Sequence, residues 1–556
     1  MMNKRTKQLF STVVVGVISV TISFAQTIQE GLYHLNSERF NEAEQVFSKL
    51  TQATPSAENF YYQGYYYLRT NQLDKATASF EKGAQADSKD LLNSVGLGAV
   101  ALAKGDKAKA TELFQNAEKK KKKDAEILFR IGEAYTLFEK NTDPAEAIRL
   151  IDEAVKKDTK LADAYIAKGD ALSMKNEGGP AVTAYEYALT AKPNYAVANN
   201  RIGQIYLRGK NYNEALAYYK KAIDADPDFA PAYKDLAELY FFARQYKRAA
   251  ENYDTYISKS KTTDPDVTLR AAQLIFTADD YSRALALLDS VQGKVNNPIM
   301  LRMYGWSYFK TNEMDKAISN LTKFIEQAPD KVIADDYKYL GRAYNKQATD
   351  GKEYTAKGME FLMKGADIDT SAAEAAATYK ELGGIYFKDK QYPDAIKTFS
   401  KGIALDTVKA STNDYYYLGL ANYQAGVSTV AEAGPDSVAT AEKRANYFAE
   451  ADNTFGILGV KIPDWPISYY WRAASLYAKE GQAKSIESGA ALPHYEKFIE
   501  LAEPEADKYK AFLIRGYQYV ASYNQITANN AAKAKEYWER ILKLDPNNAA
   551  AKEALK

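Results

Sequence analysis

Residues 201–227 read RIGQIYLRGKNYNEALAYYKKAIDADP, and this stretch decides the fold of the chain. It contains two small residues, Gly203 in its first half and Ala215 in its second half. Around both, apolar residues recur three and four apart, which is the period of an amphipathic α-helix. We expect a small residue in each helix where two backbones approach closely, because a larger side chain would hold them apart. The stretch therefore predicts a packed pair of helices.

The same pattern recurs on either side of this stretch. Gly169 precedes Gly203, and Ala237 follows it, by one period of about 34 residues. The interval from Gly203 to Ala215 also separates Gly169 from Ala181 and Ala237 from Ala249. A period of this length predicts an array of two-helix units, each burying its apolar face against its neighbours. Such arrays usually present surface to partners and rarely carry out chemistry.

Residues 201–227 resemble one complete tetratricopeptide unit, a 34-residue helix–turn–helix. The resemblance extends from about Gln26 to the C-terminus and implies an all-α, right-handed superhelical solenoid of about 14 repeats. The central small residue of each first helix serves below as the marker of its repeat. The markers are Gly31, Gly64, Gly98, Gly132, Gly169, Gly203, Ala237, Ala272, Gly305, Gly341, Gly383, Gly419, Ala474 and Gly516.

The spacing of the markers predicts three parts in this array. Residues 26–408 form a regular array of about 11 repeats. Residues 409–546 form looser repeats with insertions rich in Gly, Ser, Ala, Asn or Thr, which read as loops or extended helix ends. Residues 547–556 form a short polar helix that caps the apolar end of the array.

Residues 1–25 have the layout of a secretory signal peptide. A basic start is followed by an apolar run, and small residues occupy the third and first places before a cut ahead of Gln26. A transmembrane anchor would need about 20 mainly apolar residues, and this run is shorter and interrupted by Ser and Thr. The sequence thus predicts a cleaved, exported and soluble protein, most simply periplasmic. The lack of cysteine argues against a lipid-modified N-terminal cysteine.

Charge and composition argue against several classes of partner and reaction. The chain has 73 Lys and Arg against 72 Asp and Glu, so nothing in its net charge favours nucleic acid or an anionic membrane surface. No segment after residue 25 is long and apolar enough to span a bilayer. With two histidines, His34 and His494, and no cysteine, the usual metal-binding and nucleophile–base constellations lack their residues. Gly178-Gly179-Pro180 reads as a turn between helices and not as a phosphate loop, since no strand precedes it. We therefore predict no catalytic residues, no metal and no cofactor.

The resemblance implies a concave binding face lined by first helices, at positions three before and one, four and five after each marker. In the fourth and fifth repeats this face, with the position six before the marker, is acidic, through Glu126, Glu133, Asp163 and Asp170. In the seventh to eleventh repeats it combines large aromatic residues with a basic band. These predicted partner-binding residues are Phe241, Phe242, Phe276, Arg302, Trp306, Phe309, Lys310, Lys338, Arg342, Lys346, Lys380 and Lys388.

Aromatic anchors beside basic groups can bind an acidic, partly apolar segment. The sequence therefore predicts a non-catalytic scaffold or adaptor of the cell envelope that holds a partner peptide or helix in its groove. One alternative is an acidic glycan or other envelope polymer, with Trp306 and the phenylalanines stacking on sugar faces. Another is that these residues pack between neighbouring first helices and that the protein is a structural spacer in an envelope complex. Seven basic residues without one acidic residue at the same offsets favour binding.

Overall fold

The computed structural model describes residues 27–138, 140–348, 355–408, 410–433 and 438–556. Every regular element in these ranges is helical, which confirms the all-α prediction. The helices follow one another in packed pairs, and each pair also contacts the next within its compact unit. The predicted signal peptide lies outside the described residues. The chain divides between Val295 and Asn296 into two compact units, here called unit 1 and unit 2.

Unit 1 contains eight helix pairs within the described residues. Its helices are α1 (Ile28–Asn36), α2 (Phe40–Ala53), α3 (Ala57–Arg69), α4 (Leu73–Ala86), α5 (Leu92–Lys104), α6 (Lys107–Lys120), α7 (Ala125–Ala134), α8 (Pro144–Lys157), α9 (Ala162–Met174), α10 (Gly178–Ala191), α11 (Ala196–Arg208), α12 (Tyr212–Ala225), α13 (Ala230–Phe242), α14 (Tyr246–Ser260), α15 (Pro265–Thr277) and α16 (Tyr281–Val291).

Unit 2 contains six helix pairs, an inserted helix and a terminal helix among the residues described. Its elements are α17 (Ile299–Lys310), α18 (Met314–Gln327), a 3₁₀ turn (Pro329–Lys331), α19 (Ala334–Lys346), α20 (Ala356–Ile368), α21 (Ala372–Lys388), α22 (Tyr392–Leu405), α23 (Thr412–Ala433), α24 (Val438–Lys461), α25 (Pro466–Glu480), α26 (Gln482–Ser488), α27 (Leu492–Ala502), a 3₁₀ turn (Glu503–Glu505), α28 (Ala506–Ile526), α29 (Ala531–Leu544) and α30 (Ala549–Ala554).

The marker glycines make room for a side chain of the second helix. A Cβ on Gly203 would lie 2.5 Å from Cε1 of Tyr219, and one on Gly383 would lie 2.7 Å from the Phe399 ring. The interval from Gly203 to Tyr219 also joins most other glycine markers to a buried Phe, Tyr or Leu. At Gly341 the nearest group is instead the backbone carbonyl of Gly358, at 2.7 Å. A small residue is therefore needed at the marker, as expected. At most markers it makes room for a side chain of the second helix, and less often for the backbone of that helix.

The turn inside each pair has a backbone conformation that the sequence does not predict. Seven residues after most markers the backbone has a positive φ, for example 56° at Asn71 and 58° at Lys210. Asn and Gly adopt this left-handed region readily, whereas Lys, Arg and Glu rarely do. Because the position is occupied by Glu38, Lys210 and Arg244 as well as by Asn and Gly, residue type alone does not mark it.

Two local expectations change in the structure. Gly178, Gly179 and Pro180 form the first turn of α10 and not a turn before it. The proline fits there because the first N–H groups of a helix have no intrahelical acceptor to lose. In the looser part of the chain, inserted residues mainly lengthen α23, α24 and α28 or form the short helix α26. The C-terminal α30 packs against α29 with Ala551 fully buried.

Candidate partner-binding surfaces

The first helices of unit 1 enclose the acidic residues predicted for the fourth and fifth repeats. Glu126 and Glu133 both bind the guanidinium of Arg130, at 2.7 and 2.9 Å, and Arg130 is only 6% exposed. Tyr65 donates a hydrogen bond of 2.7 Å to Glu133. Burial opposes the charge of Arg130, but Tyr61, Glu133 and Glu126 raise its pKa well above its usual value. These carboxylates are thus compensated inside the unit.

The next pair of acids also accepts hydrogen bonds from inside the unit, and one of the two has a cationic partner. Asp163 accepts a hydrogen bond of 2.5 Å from the Tyr195 hydroxyl, and Asp170 accepts one of 2.7 Å from Tyr185. The guanidinium of Arg201 lies 3.2 Å from Asp170. A cavity of about 230 Å³ remains among the charged side chains of this face. The inner face of unit 1 is therefore a network of internal charge pairs around a small polar space.

The first repeat of unit 1 contacts the seventh through polar side chains, here called the latch. Glu38 accepts hydrogen bonds from the Lys234 ammonium at 2.5 Å and from the Tyr256 hydroxyl at 2.7 Å. Lys261 lies 2.9 Å from Glu42, and Arg39 donates to the backbone carbonyl of Asp228 at 3.2 Å. The latch closes the face formed by the first helices, since the two ends of seven repeats meet across it.

The three predicted aromatic residues of unit 1 differ in exposure. Phe242 is 58% exposed at the end of α13. Phe241 is half-buried, with its ring 5.9 Å from that of Phe242 and under the guanidinium of Arg270. Phe276 packs with Ile275 and its neighbours in an apolar cluster. Only Phe242 presents most of its ring to solvent.

In unit 2, the basic residues three before the markers Gly305, Gly341 and Gly383 form ion pairs with the next repeat or with the linker that leads to it. Arg302 binds the fully buried Asp336 through Nε at 2.9 Å and through Nη2 at 2.8 Å. Lys338, only 3% exposed, contacts Asp369 at 2.5 Å, and Lys380 contacts Asp414 at 3.1 Å. Burial opposes the charge of Lys338, but the hydrogen bond to Asp369 raises its pKa. This row therefore links adjacent repeats.

Arg342, one residue after its marker, is also paired. Its guanidinium binds Glu381 of the following repeat at 3.2 and 2.6 Å, and this bond raises the pKa of Arg342. The acidic partners were missed by sequence reasoning because they lie at other offsets. Asp336 stands five residues before its marker and Glu381 stands two before its own. A comparison limited to the four inner offsets could not reveal them.

The lysines five residues after each marker are the exposed part of the basic band. Lys310, Lys346 and Lys388 are each the last residue of a first helix, α17, α19 and α21. All three are exposed. Positive charge at a helix C-terminus is favoured by the helix dipole, so this row also stabilises the helices that carry it. It is the predicted row that reaches solvent in three consecutive repeats.

Aromatic rings lie between two of these lysines. The Tyr339 ring is 4.7 Å from the Trp306 ring and 5.1 Å from the Phe309 ring. The ammonium of Lys310 is 5.5 Å from the Tyr339 ring centre, and that of Lys346 is 5.0 Å from the Phe309 ring centre. We call these five residues the lysine–aromatic patch. Tyr339 was missed by sequence reasoning because it stands two before its marker, and the Trp306 indole also donates to Asp336.

The described residues also bear on other classes of function. They contain no group of three or more His, Asp or Glu placed to hold a metal ion. No helix described in the structure has the length and apolar character needed to cross a membrane.

Comparison with protein families matches three separate stretches of the chain. All three family models are described as tetratricopeptide repeats, and they match residues 28–90, 196–229 and 301–331. A comparison with curated proteins finds no match.

Solved structures of repeat proteins align with parts of the chain. The C-terminal part of a TPR repeat-containing protein from Cytophaga hutchinsonii is 25% identical, covers 52% of this chain and 99% of its own, and has a TM-score of 0.35. PilF of Pseudomonas aeruginosa is 20% identical, covering 37% of this chain and 92% of its own at a TM-score of 0.32. A tetratricopeptide repeat protein from Parabacteroides merdae is 18% identical, with coverage of 46% and 99% and a TM-score of 0.31.

The family matches and the consecutive helix pairs together settle the class. The chain is a tetratricopeptide repeat protein in the three matched stretches, and its other helices continue the same packed pairs. Proteins of this family are in general non-catalytic scaffolds that bind proteins or peptides.

Proposed function

We propose that this protein is a scaffold of the cell envelope that holds an acidic, partly apolar segment of a partner protein at the lysine–aromatic patch. One observation carries the proposal: the exposed lysines recur at one offset in three successive repeats of unit 2, and two of them flank a cluster of three rings. Rings in contact with one another are held in place, so little side-chain entropy is lost when a partner packs on them. The lysines add charge-assisted hydrogen bonds to carboxylates.

The remaining cations of the basic band stabilise the repeats that carry this surface. Arg302, Lys338 and Arg342 already bind carboxylates of this chain, so their part is to set the spacing between repeats. Reversing their charge would leave Asp336 and Asp369 beside a like charge in a buried setting and damage the fold. Loss of binding in such a variant would say little about the groove.

The test reverses the exposed row instead. A photo-crosslinking amino acid in place of Tyr339 captures the partner in cells, and mass spectrometry identifies it. We expect Lys310→Glu/Lys346→Glu/Lys388→Glu to lower the affinity for the purified partner at least tenfold. A control variant, Lys323→Glu/Lys364→Glu/Lys535→Glu, makes the same change of charge on second helices and should bind as the parent does. Equal binding by both variants, with unchanged circular dichroism, would refute the patch as the binding surface.

An acidic glycan is the competing ligand for the same patch. Titration of the parent and of the exposed-row variant with defined anionic polysaccharides separates the two. The glycan would be the ligand if the parent binds it saturably, the exposed-row variant does not, and no protein is crosslinked at Tyr339.

Export to the periplasm is part of the proposal and rests on the layout of residues 1–25. Protein recovered from a periplasmic extract should begin at Gln26 when its N-terminus is sequenced. Recovery of the uncleaved chain from the cytoplasm would refute the proposed location in the cell envelope.

A further inference from the structure

A cavity of about 450 Å³ lies within the last three repeats of unit 2, here called the terminal cavity. Helices α23, α25, α27 and α28 line it together with the inserted helix α26, and Trp538 of α29 and Ala550 of α30 complete it. The insertions of this region therefore build part of its wall. Its size is in the range of small-molecule sites.

Aromatic rings form nearly half of the wall, and they fix one another. The rings of Tyr495 and Tyr519 are 4.8 Å apart, and Tyr477 meets Tyr519 edge-on at 5.9 Å. Tyr470 meets Tyr495 at 6.2 Å. Tyr470, Tyr495 and Tyr519 are buried, and Tyr519 is anchored by a hydrogen bond of 2.5 Å to the Ser485 carbonyl. These three tyrosines fix the wall, and the partly exposed Tyr423 and Tyr477 present ring surface to the cavity.

Polar groups alternate with these rings. Gln482, Gln518 and Ser522 line the cavity, and so does the exposed Arg515. The Arg515 guanidinium donates to the Tyr470 hydroxyl at 3.4 Å. No Asp or Glu is among the lining residues, and the aliphatic ones are few, Ala474, Ile486 and Ala550. The cavity therefore suits an anion with many hydrogen-bonding groups better than an aliphatic side chain.

We propose that the terminal cavity binds an acidic sugar, a polyhydroxylated ring with one carboxylate. The carboxylate would pair with Arg515, whose planar fork binds carboxylates through two bonds. The ring would lie against Tyr423 and Tyr477, with its hydroxyls on the glutamine amides and the Ser522 hydroxyl. The ligand is either the free monosaccharide or the terminal residue of an oligosaccharide, since both present the same group. This site is separate from the lysine–aromatic patch and does not rest on the function proposed for it.

Isothermal titration of the full mature chain with galacturonate and with trigalacturonate tests the proposal, with glucose as the neutral control. We expect saturable binding of at least one uronate and at least tenfold weaker binding of glucose. Arg515→Met should weaken uronate binding about tenfold or more, as loss of a charge-assisted hydrogen bond does. Lys510→Met removes one charge from the same helix outside the cavity and should bind as the parent does. Preference for the trimer over the monomer identifies an oligosaccharide end as the ligand, and equal affinity identifies the free sugar.

A second variant keeps the test decisive if Arg515→Met fails to fold. Ala550→Trp adds a large side chain at an exposed position of the cavity wall, where the fold tolerates it, and should abolish uronate binding. No saturable uronate binding by the parent overturns the proposal. So does binding that survives both Arg515→Met and Ala550→Trp in folded protein. Arg515-dependent binding of an acidic peptide without any uronate binding would also overturn it.

Discussion

Unit 1 and unit 2 use the same helix pair, yet their first helices present different surfaces. In unit 1 the first-helix face holds buried charges such as Arg130 that are neutralised within the unit, and the latch joins its first and seventh repeats. In unit 2 the corresponding face carries exposed lysines beside aromatic rings and, in its last repeats, an aromatic cavity about twice as large as the polar space of unit 1. Packing between helices is shared, whereas the side chains that face inward decide whether a surface is filled or available to a ligand.

The largest expected difference in stability is between substitutions of one arginine from each unit. Arg130→Met should lower the free energy of unfolding by about 3 kcal/mol or more, because it leaves Glu126 and Glu133 without their cation in a mostly buried setting. Arg515→Met should change it by less than about 0.5 kcal/mol, as an exposed substitution does. Urea unfolding followed by circular dichroism measures both.

A rescue variant checks the cause of that contrast. Replacing Glu126 and Glu133 with Gln together with Arg130→Met should recover most of the lost stability, since no uncompensated charge is then buried. Equal losses of stability for Arg130→Met and Arg515→Met would show that the inward charges of unit 1 and the cavity arginine of unit 2 do not differ in their structural role.

The shared packing predicts opposite effects at two adjacent glycines of α21. Gly383→Ala should destabilise the fold by about 1–3 kcal/mol, because its Cβ would lie 2.7 Å from the Phe399 ring. Gly384→Ala meets nothing within 4 Å and should stabilise the helix by about 0.5–1 kcal/mol. Thermal unfolding of the two variants measures the difference. Two effects of the same sign would show that the marker position is misassigned.

The latch predicts a smaller, salt-dependent effect in unit 1. Glu38→Gln should cost about 1 kcal/mol, because Glu38 pairs with Lys234 and accepts from Tyr256 at a partly exposed site. The cost should shrink near 1 M salt, where the Debye length is about 3 Å. The matched control is Glu81→Gln, an exposed glutamate of α4.

Hydrogen exchange locates this effect. Amides of α1 should exchange faster in Glu38→Gln than in the parent, while those of α9 should be unchanged. A double-mutant cycle with Lys234→Met should give a coupling energy well above zero. Additive losses would show that the first and seventh repeats are not coupled through this pair.

The smallest effect concerns pH, through one histidine in each unit. Burial, assisted by Arg39 for His34 and by Arg472 for His494, lowers the pKa of both below 6.5. In the folded protein they stay neutral at a pH where the unfolded chain already binds protons. The histidine contribution to stability is therefore complete above about pH 6.5 and is lost as the pH falls from 6.5 to the lowered folded values.

Thermal unfolding between pH 7.5 and 5.0 measures this dependence. His34→Gln/His494→Gln should flatten the decline, since the chain has no other histidine. An unchanged slope would assign the decline to carboxylates instead.

The repeat and its register were predictable because they follow from local spacing. Marker residues, the matching small residue of each second helix and the helical period are local properties that packing of adjacent helices requires. The residues of the basic band were predictable in the same way, and their use in partner binding stays a prediction. Their ion-pair partners were not, because Asp336, Asp369 and Asp414 lie in the next repeat or in the linker before it, at offsets that the pattern does not single out. The exposed lysines and the less exposed cations look alike in the sequence.

The sequence by itself determined the helix pair and its approximate number of copies, because both depend on contacts within one or two repeats. Only the tertiary structure decided which inward groups pair across longer distances in the sequence, since Lys338 and Asp369 stand about 30 positions apart and Glu38 and Lys234 about 200. It also decided that Glu38 meets Lys234 and Tyr256, and that the late insertions enclose the cavity around Arg515. Small rotations between successive repeats add up over many units, so contacts between distant repeats depend on the whole unit and not on any one motif.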